Sequence, residues 1–111
     1  MFDRLIVNKV RHYLVNVNNE GIPVCFGIIF GSQVKGFSDR WSDIDLLVVS
    51  RHFDRPRDRR DVDLLWKLAA KTDSRIEPIL CGEPQWDNDV SSAIIEIARR
   101  EGETISLSGE G

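Results

Sequence analysis

Two apolar runs of strand length constrain this chain more than any other feature. The first, Val24-Cys25-Phe26-Gly27-Ile28-Ile29-Phe30, follows Pro23 and is almost unbroken by polar residues. A strand with one wet face alternates apolar and polar side chains, so a near-continuous run implies a strand covered on both faces. The second run, Asp43 to Ser50, carries Ile44, Leu46, Leu47, Val48 and Val49, residues that favour the extended state. Strands of this kind need helices packed on their sheet.

The rest of the chain supplies them. Ile6, Val10, Tyr13, Leu14 and Val17 recur at helical spacing over residues 3–18, and Val62, Leu65, Trp66, Leu68 and Ala69 do so over 58–71. Asp89 reads as the cap of a third helix carrying Val90, Ala93, Ile94, Ile97 and Ala98 and stopping near Gly102. Arg75 to Cys81 reads as a third strand. Pro78 inside it, lacking a ladder donor, implies an edge position or an early end. A short helical turn through Lys35, a polar loop from Gly36 to Ser42, a charged loop from Arg51 to Arg60 and a turn at Gly82-Glu83-Pro84-Gln85 connect these elements. Thr104 to Leu107 is expected to add a short strand. The expected fold is α/β in the α+β sense, a small mixed sheet flanked by helices. Residues 1–107 would form one domain and residues 108–111 a frayed tail.

Composition excludes several classes. With 41% hydrophobic and 30% charged residues in 111, the chain has the balance of a folded globular domain rather than a disordered one. No apolar run approaches the roughly 18 residues of a membrane span, and Met1-Phe2-Asp3-Arg4 lacks a signal-peptide profile, so a cytoplasmic protein is expected. A net charge of −3 argues against direct nucleic-acid binding, which usually needs a basic face. Cys25 and Cys81 stand far apart with no CxxC pair. Both read as buried or half-buried apolar residues rather than metal or redox groups.

Between the two apolar runs lies the chemistry. Side chains alternate across a strand, so Asp43 and Asp45 share one face while Ile44 points into the core. Their α-carbons would be about 6.6 Å apart, twice the strand rise. Two like charges so close need a cation or a proton between them. Hard oxygen ligands with open positions suit Mg²⁺ or Mn²⁺, completed by substrate phosphates. At the end of the first run, Gly31 permits a tight turn and close approach of phosphate to backbone. Ser32 adds a hydroxyl where a helix would begin and its free N–H groups favour anions. A phosphate cradle beside a metal site is what metal-assisted nucleotidyl transfer requires.

The run Phe30-Gly31-Ser32…Gly36…Ser42-Asp43-Ile44-Asp45-Leu46-Leu47-Val48 resembles the signature of the DNA polymerase beta nucleotidyltransferase superfamily. Within it, the chain looks like the small bacterial and archaeal branch, the minimal nucleotidyltransferases. The resemblance implies a third carboxylate on a later strand. Glu77 in Arg75-Ile76-Glu77-Pro78-Ile79 is the matching position, although aspartate is the more usual residue there, with Asp73 as a second candidate. It further implies ATP as substrate, metal held by Asp43, Asp45 and Glu77, and β/γ-phosphates held by Gly31 and Ser32 with Lys35 adding positive charge. Members of this branch typically act as antitoxins that pair, as a hetero-oligomer, with a HEPN-domain ribonuclease toxin and transfer AMP to one of its hydroxyls. The shortness of the chain fits an acceptor brought by another molecule. Two alternatives follow from the same residues: a catalytically silent module that inhibits its partner by contact, and transfer to a small molecule or an RNA end.

Other conspicuous residues carry blander readings. Arg51, Arg55, Arg57, Arg59 and Arg60 interleave with Asp54, Asp58, Asp61 and Asp63, as in a solvated, internally paired loop; the alternative is a docking surface for an acidic partner or RNA. His12 and His52 lack ligand spacing. Trp41 could stack on a base or pack under its loop, and Trp66 and Trp86 read as core or interface residues.

Overall fold

The computed structural model describes residues 4–30, 43–56, 58–89 and 92–108. Its first helix, α1 (Arg4–Asn19), exists to bury one stripe: Val10, Tyr13, Leu14 and Val17 are all covered. Gly21, at φ 102°, then turns the chain toward the sheet in a conformation that side chains with a Cβ adopt at a cost.

Among the described residues four strands follow in the order of the chain: β1 (Phe26–Phe30), β2 (Ile44–Val49), β3 (Ile76–Cys81) and β4 (Glu103–Ile105). Their spatial order is β3-β2-β1-β4. β1 runs antiparallel to both β2 and β4, whereas β2 and β3 are parallel, which makes the sheet mixed as expected. The parallel pair needs a crossover, and α2 (Arg59–Thr72) supplies it. Asp58 caps that helix by accepting from the Arg60 backbone N–H.

Strand alternation divides the core in two. Ile44, Leu46 and Val48 face α1 and α2, packing with Tyr13, Leu14, Leu65 and Ala69. Leu47 and Val49 face the other way, toward Ile28, Phe30, Cys81 and the Ile95 and Ala98 side chains of α4 (Ala93–Glu101). Both faces of β1 and β2 are therefore covered, as the unbroken apolar run of β1 required. Tyr13, fully buried, donates its hydroxyl to the Leu65 carbonyl at 2.9 Å and ties α1 to α2.

Pro78 sits where its missing donor costs least. β3 is an edge strand, and its odd-numbered residues turn their backbone toward β2, as the Ile44 N–H to Arg75 carbonyl and Ser50 N–H to Cys81 carbonyl bonds show. Pro78 therefore faces outward, and Ile76, also outward, donates instead to the Asp73 carbonyl.

Three expectations are corrected. The segment after Gly82 is a short helix, α3 (Glu83–Asn88), not a turn-rich loop. Its first N–H, on Glu83, is satisfied at 2.9 Å by Asp54, a tertiary partner 29 residues earlier. The cap of α4 is Ser92, which accepts from the Ile95 N–H, while Asp89 closes α3 and accepts from the Ser92 N–H. Cys25 is exposed, not buried, and its thiol donates to the Glu83 carboxylate at 2.6 Å. Cys81 is buried as expected.

Candidate active site

Asp43 stands one residue before β2, and Ile44 anchors the start of the strand. Its side chain is fully buried on the α1/α2 face, and its N–H donates to the Arg75 carbonyl at 2.8 Å. With Ile44 fixed, Asp45 must point to the opposite face, the one shared with Leu47 and Val49. There it lies in register between Phe30 of β1 and Glu77 of β3. Neighbouring strands are about 4.8 Å apart, so the parallel register sets the Asp45 and Glu77 carboxyls side by side. Asp43, two residues earlier on the same face, completes the group. Glu77 is in hydrogen-bonding contact with both aspartates.

Electrostatics records the crowding. Burial raises the Asp45 carboxyl above the ordinary carboxylate value; the hydrogen bond with Glu77 opposes that shift, and the charge of Asp43 adds to it. Glu77 is raised as well, first by burial, then by the charges of Asp43 and Asp45 and by the hydrogen bonds to them. Asp45 and Glu77 thus retain a proton more readily than isolated carboxylates would. A divalent cation would relieve the same repulsion, and an all-oxygen set suits Mg²⁺ or Mn²⁺. Among the described residues no group of three or more His, Cys, Asp or Glu side chains is arranged to hold a metal ion as the side chains stand. Mg²⁺ takes one or two carboxylates and completes its shell with substrate phosphates and water. The donor chemistry fits the ion.

A family model for the nucleotidyltransferase domain matches residues 24–99, a span that runs from just before β1 into α4 and includes all three carboxylates. The chain belongs to this family.

Solved structures share the nucleotidyltransferase fold. A toxin–antitoxin structure with AMP-PNP is 22% identical, with a TM-score of 0.60 over 86% of this chain and 71% of that one. The MntA–HpeT toxin–antitoxin, in a mutant carrying Asp-to-Glu substitutions, is 19% identical, with a TM-score of 0.57 over 86% and 71%. A tri-AMPylated Shewanella oneidensis HEPN toxin in complex with its MNT antitoxin gives 18% identity and a TM-score of 0.52 over 86% and 67%. No curated protein matches the chain. At these identities the likeness speaks for the fold.

Of the other residues singled out in the sequence, Gly31, Ser32 and Lys35 lie outside the described residues, as do Gly36, Trp41 and Arg57. Asp73, the second candidate for a third carboxylate, is engaged elsewhere. Its carboxylate is held by the Arg75 guanidinium, at 2.7 Å to Nη2, and by Lys9 at 3.5 Å. The charged segment is only partly a loop, with a 3-10 turn at Arg51–Asp54; within it and the start of α2, Asp58 pairs with Arg60 and Asp61 contacts His52. Trp66 is exposed on α2, whereas Trp86 packs edge-on against Phe26 beneath the Arg99 guanidinium. The feature that sequence reasoning passed over is the bond between Ile44 and Arg75, which ties the two strand starts together. Only the Asp73-Ser74-Arg75 spacing, typical of an aspartate turn, hinted at it.

Proposed function

We propose that this chain is a Mg²⁺-dependent nucleotidyltransferase, with Mn²⁺ able to substitute, that transfers AMP from ATP to a protein hydroxyl. We further propose that it acts as an antitoxin and that its acceptor is a HEPN-domain toxin. Membership of the nucleotidyltransferase family supports the reaction class. Fold likeness to three toxin–antitoxin structures supports the biological setting. One observation carries the reading: Asp45 and Glu77 are paired in register on adjacent parallel strands, with Asp43 on the same face.

Asp43, Asp45 and Glu77 would hold the metal. When bound, the cation supplies Lewis-acid activation of the α-phosphate and neutralises charge on the departing oxygens. Gly31 through its backbone and Ser32 through its hydroxyl would bind the β/γ-phosphates, with Lys35 contributing positive charge. The acceptor oxygen forms a bond to the α-phosphorus in line with the bond that breaks toward the β-phosphate, and pyrophosphate leaves. Glu77 would also assist by taking the proton released by the attacking hydroxyl.

The test is transfer of label from α-³²P-ATP to the co-purified partner in the presence of Mg²⁺. Asp43→Asn, at an exposed position, is expected to abolish labelling while leaving the far-ultraviolet circular dichroism of the domain unchanged. Undiminished labelling by that variant would overturn the metal assignment. Neutralisation of the partner by the unlabelling variant would favour inhibition by contact.

A further inference from the structure

On the metal-holding role proposed above for Asp43, Asp45 and Glu77, we infer that Asp73 is a positioning residue that fixes the spacing of these carboxylates through the backbone of residues 73–76. The Asp73 side chain is 8% exposed and grips Arg75 three ways. Its Oδ1 accepts from the Arg75 backbone N–H and from Nε, both at 3.0 Å, and its Oδ2 accepts from Nη2 at 2.7 Å. The backbone is pinned as tightly: the Asp73 N–H donates to the Ala69 carbonyl and the Asp73 carbonyl accepts from the Ile76 N–H. A side chain that bonds its own backbone two residues on is a turn in its own right, and the paired guanidinium fastens it with charge-assisted bonds.

The consequence reaches the site through one bond. The Arg75 carbonyl, held in place by that turn, accepts from the Ile44 N–H at 2.8 Å. Ile44 lies between Asp43 and Asp45, and Arg75 lies two residues before Glu77. All three carboxylates are therefore within two residues of the Ile44–Arg75 bond, and a slip of this turn would move Glu77 against Asp45. On the inner face the same junction is closed by Ile44 and Ile76, both fully buried. Lys9, half exposed at 3.5 Å, adds charge to Asp73.

The experiment compares the full-length wild type with Asp73→Asn, which keeps an oxygen for the turn and loses the ion pair. Asp58→Ala, which removes the cap at the opposite end of α2, controls for general destabilisation. Mn²⁺ binding in the presence of a non-hydrolysable ATP analogue is followed by electron paramagnetic resonance, well below the unfolding temperature. Amide hydrogen exchange is followed in parallel. Asp73→Asn is expected to weaken Mn²⁺ binding roughly tenfold, the scale of outer-shell changes at metal sites. It should also lower the protection of the Ile44 and Ile76 amides while that of Leu47 is kept, and Asp58→Ala should do neither. Wild-type affinity or unchanged Ile44 protection in Asp73→Asn would overturn the positioning role. Absence of Mn²⁺ binding by the wild type would instead overturn the proposed function, with Ile44 exchange still judging the turn. Should Asp73→Asn fail to fold, Arg75→Gln removes the same ion pair from the other side and is read in the same way.

Discussion

Gly102→Ala is expected to be far more damaging than its position at a helix end suggests. Gly102 has φ −81° and ψ 163°, a conformation open to any residue, so its backbone geometry does not require glycine. Space does. A Cβ there would lie 2.3 Å from Ile28 Cγ2 and 2.4 Å from the Ala98 carbonyl oxygen, with the Ile29 carbonyl at 3.1 Å. Ile28 could in principle rotate, but it is 1% exposed beneath α4 and has nowhere to go. The Ala98 carbonyl cannot rotate at all, because it accepts the Gly102 N–H at 2.9 Å in the last turn of α4. Relief requires the end of α4 to lift from β1. That sacrifices the capping bond, about 1 kcal/mol, and forces the overpacking strain of about 1–3 kcal/mol seen in filled cores. The sum is about 2–4 kcal/mol, a large share of the total for a domain of this size, and lowers the melting temperature by on the order of 10 °C. Urea unfolding followed by circular dichroism gives the number directly. Gly21→Ala is the informative contrast, because nothing lies within 4 Å of its Cβ and its φ is +102°. It should cost about 1 kcal/mol by backbone strain alone. A Gly102→Ala domain within 0.5 kcal/mol of wild type would refute the steric argument.

The remaining predictions concern single bonds. The Arg75 guanidinium lowers the Asp73 carboxyl from 3.8 to about 2. Because the folded value is depressed, the stabilisation is complete above the unfolded value and drains away as pH falls through the folded one. Near pH 7 it amounts to about 2 kcal/mol. Asp73→Asn should therefore be less stable than wild type by about that amount at pH 7, with the gap closing between roughly pH 5 and pH 2; a pH-independent gap in urea melts would contradict the linkage. Tyr13→Phe removes the hydroxyl bonded to Leu65 while the Leu65 carbonyl keeps its helical place. A loss of about 1 kcal/mol is expected, and a loss above 3 kcal/mol in the same assay would contradict a single hydroxyl–carbonyl bond as the link between α1 and α2.

Much of the fold was legible because periodicity reports burial. The stripe of Val10, Tyr13, Leu14 and Val17 and the unbroken run of β1 lie where their spacing implied. What stayed hidden depends on partners distant in sequence. Gly82-Glu83-Pro84 has turn composition, yet Asp54 caps Glu83 from across the molecule and Gln85 bonds back to the Gly82 N–H, so a helix forms. Asp89 and Ser92 are both good capping types, and only the tertiary path of the chain assigns one to the end of α3 and the other to the start of α4. Cys25 sits in an apolar run, but it stands just before β1 and its side chain is exposed, bonded to Glu83 rather than packed in the core. At the candidate site, alternation alone set Asp43 and Asp45 on one face. The pairing of Asp45 with Glu77 is a matter of register between strands, which local sequence does not encode. Glu77 was reached through family resemblance instead.

The pairing of Asp45 with Glu77 is open to direct test. The most direct measurement is the rate of label transfer from α-³²P-ATP to the partner by wild type and by Glu77→Gln, which is nearly equal in size and removes one carboxylate oxygen from the site. If Glu77 completes the group with Asp43 and Asp45, the rate falls by about 10² or more, with folding intact by circular dichroism. Transfer within twofold of wild type would contradict a working role for the third carboxylate.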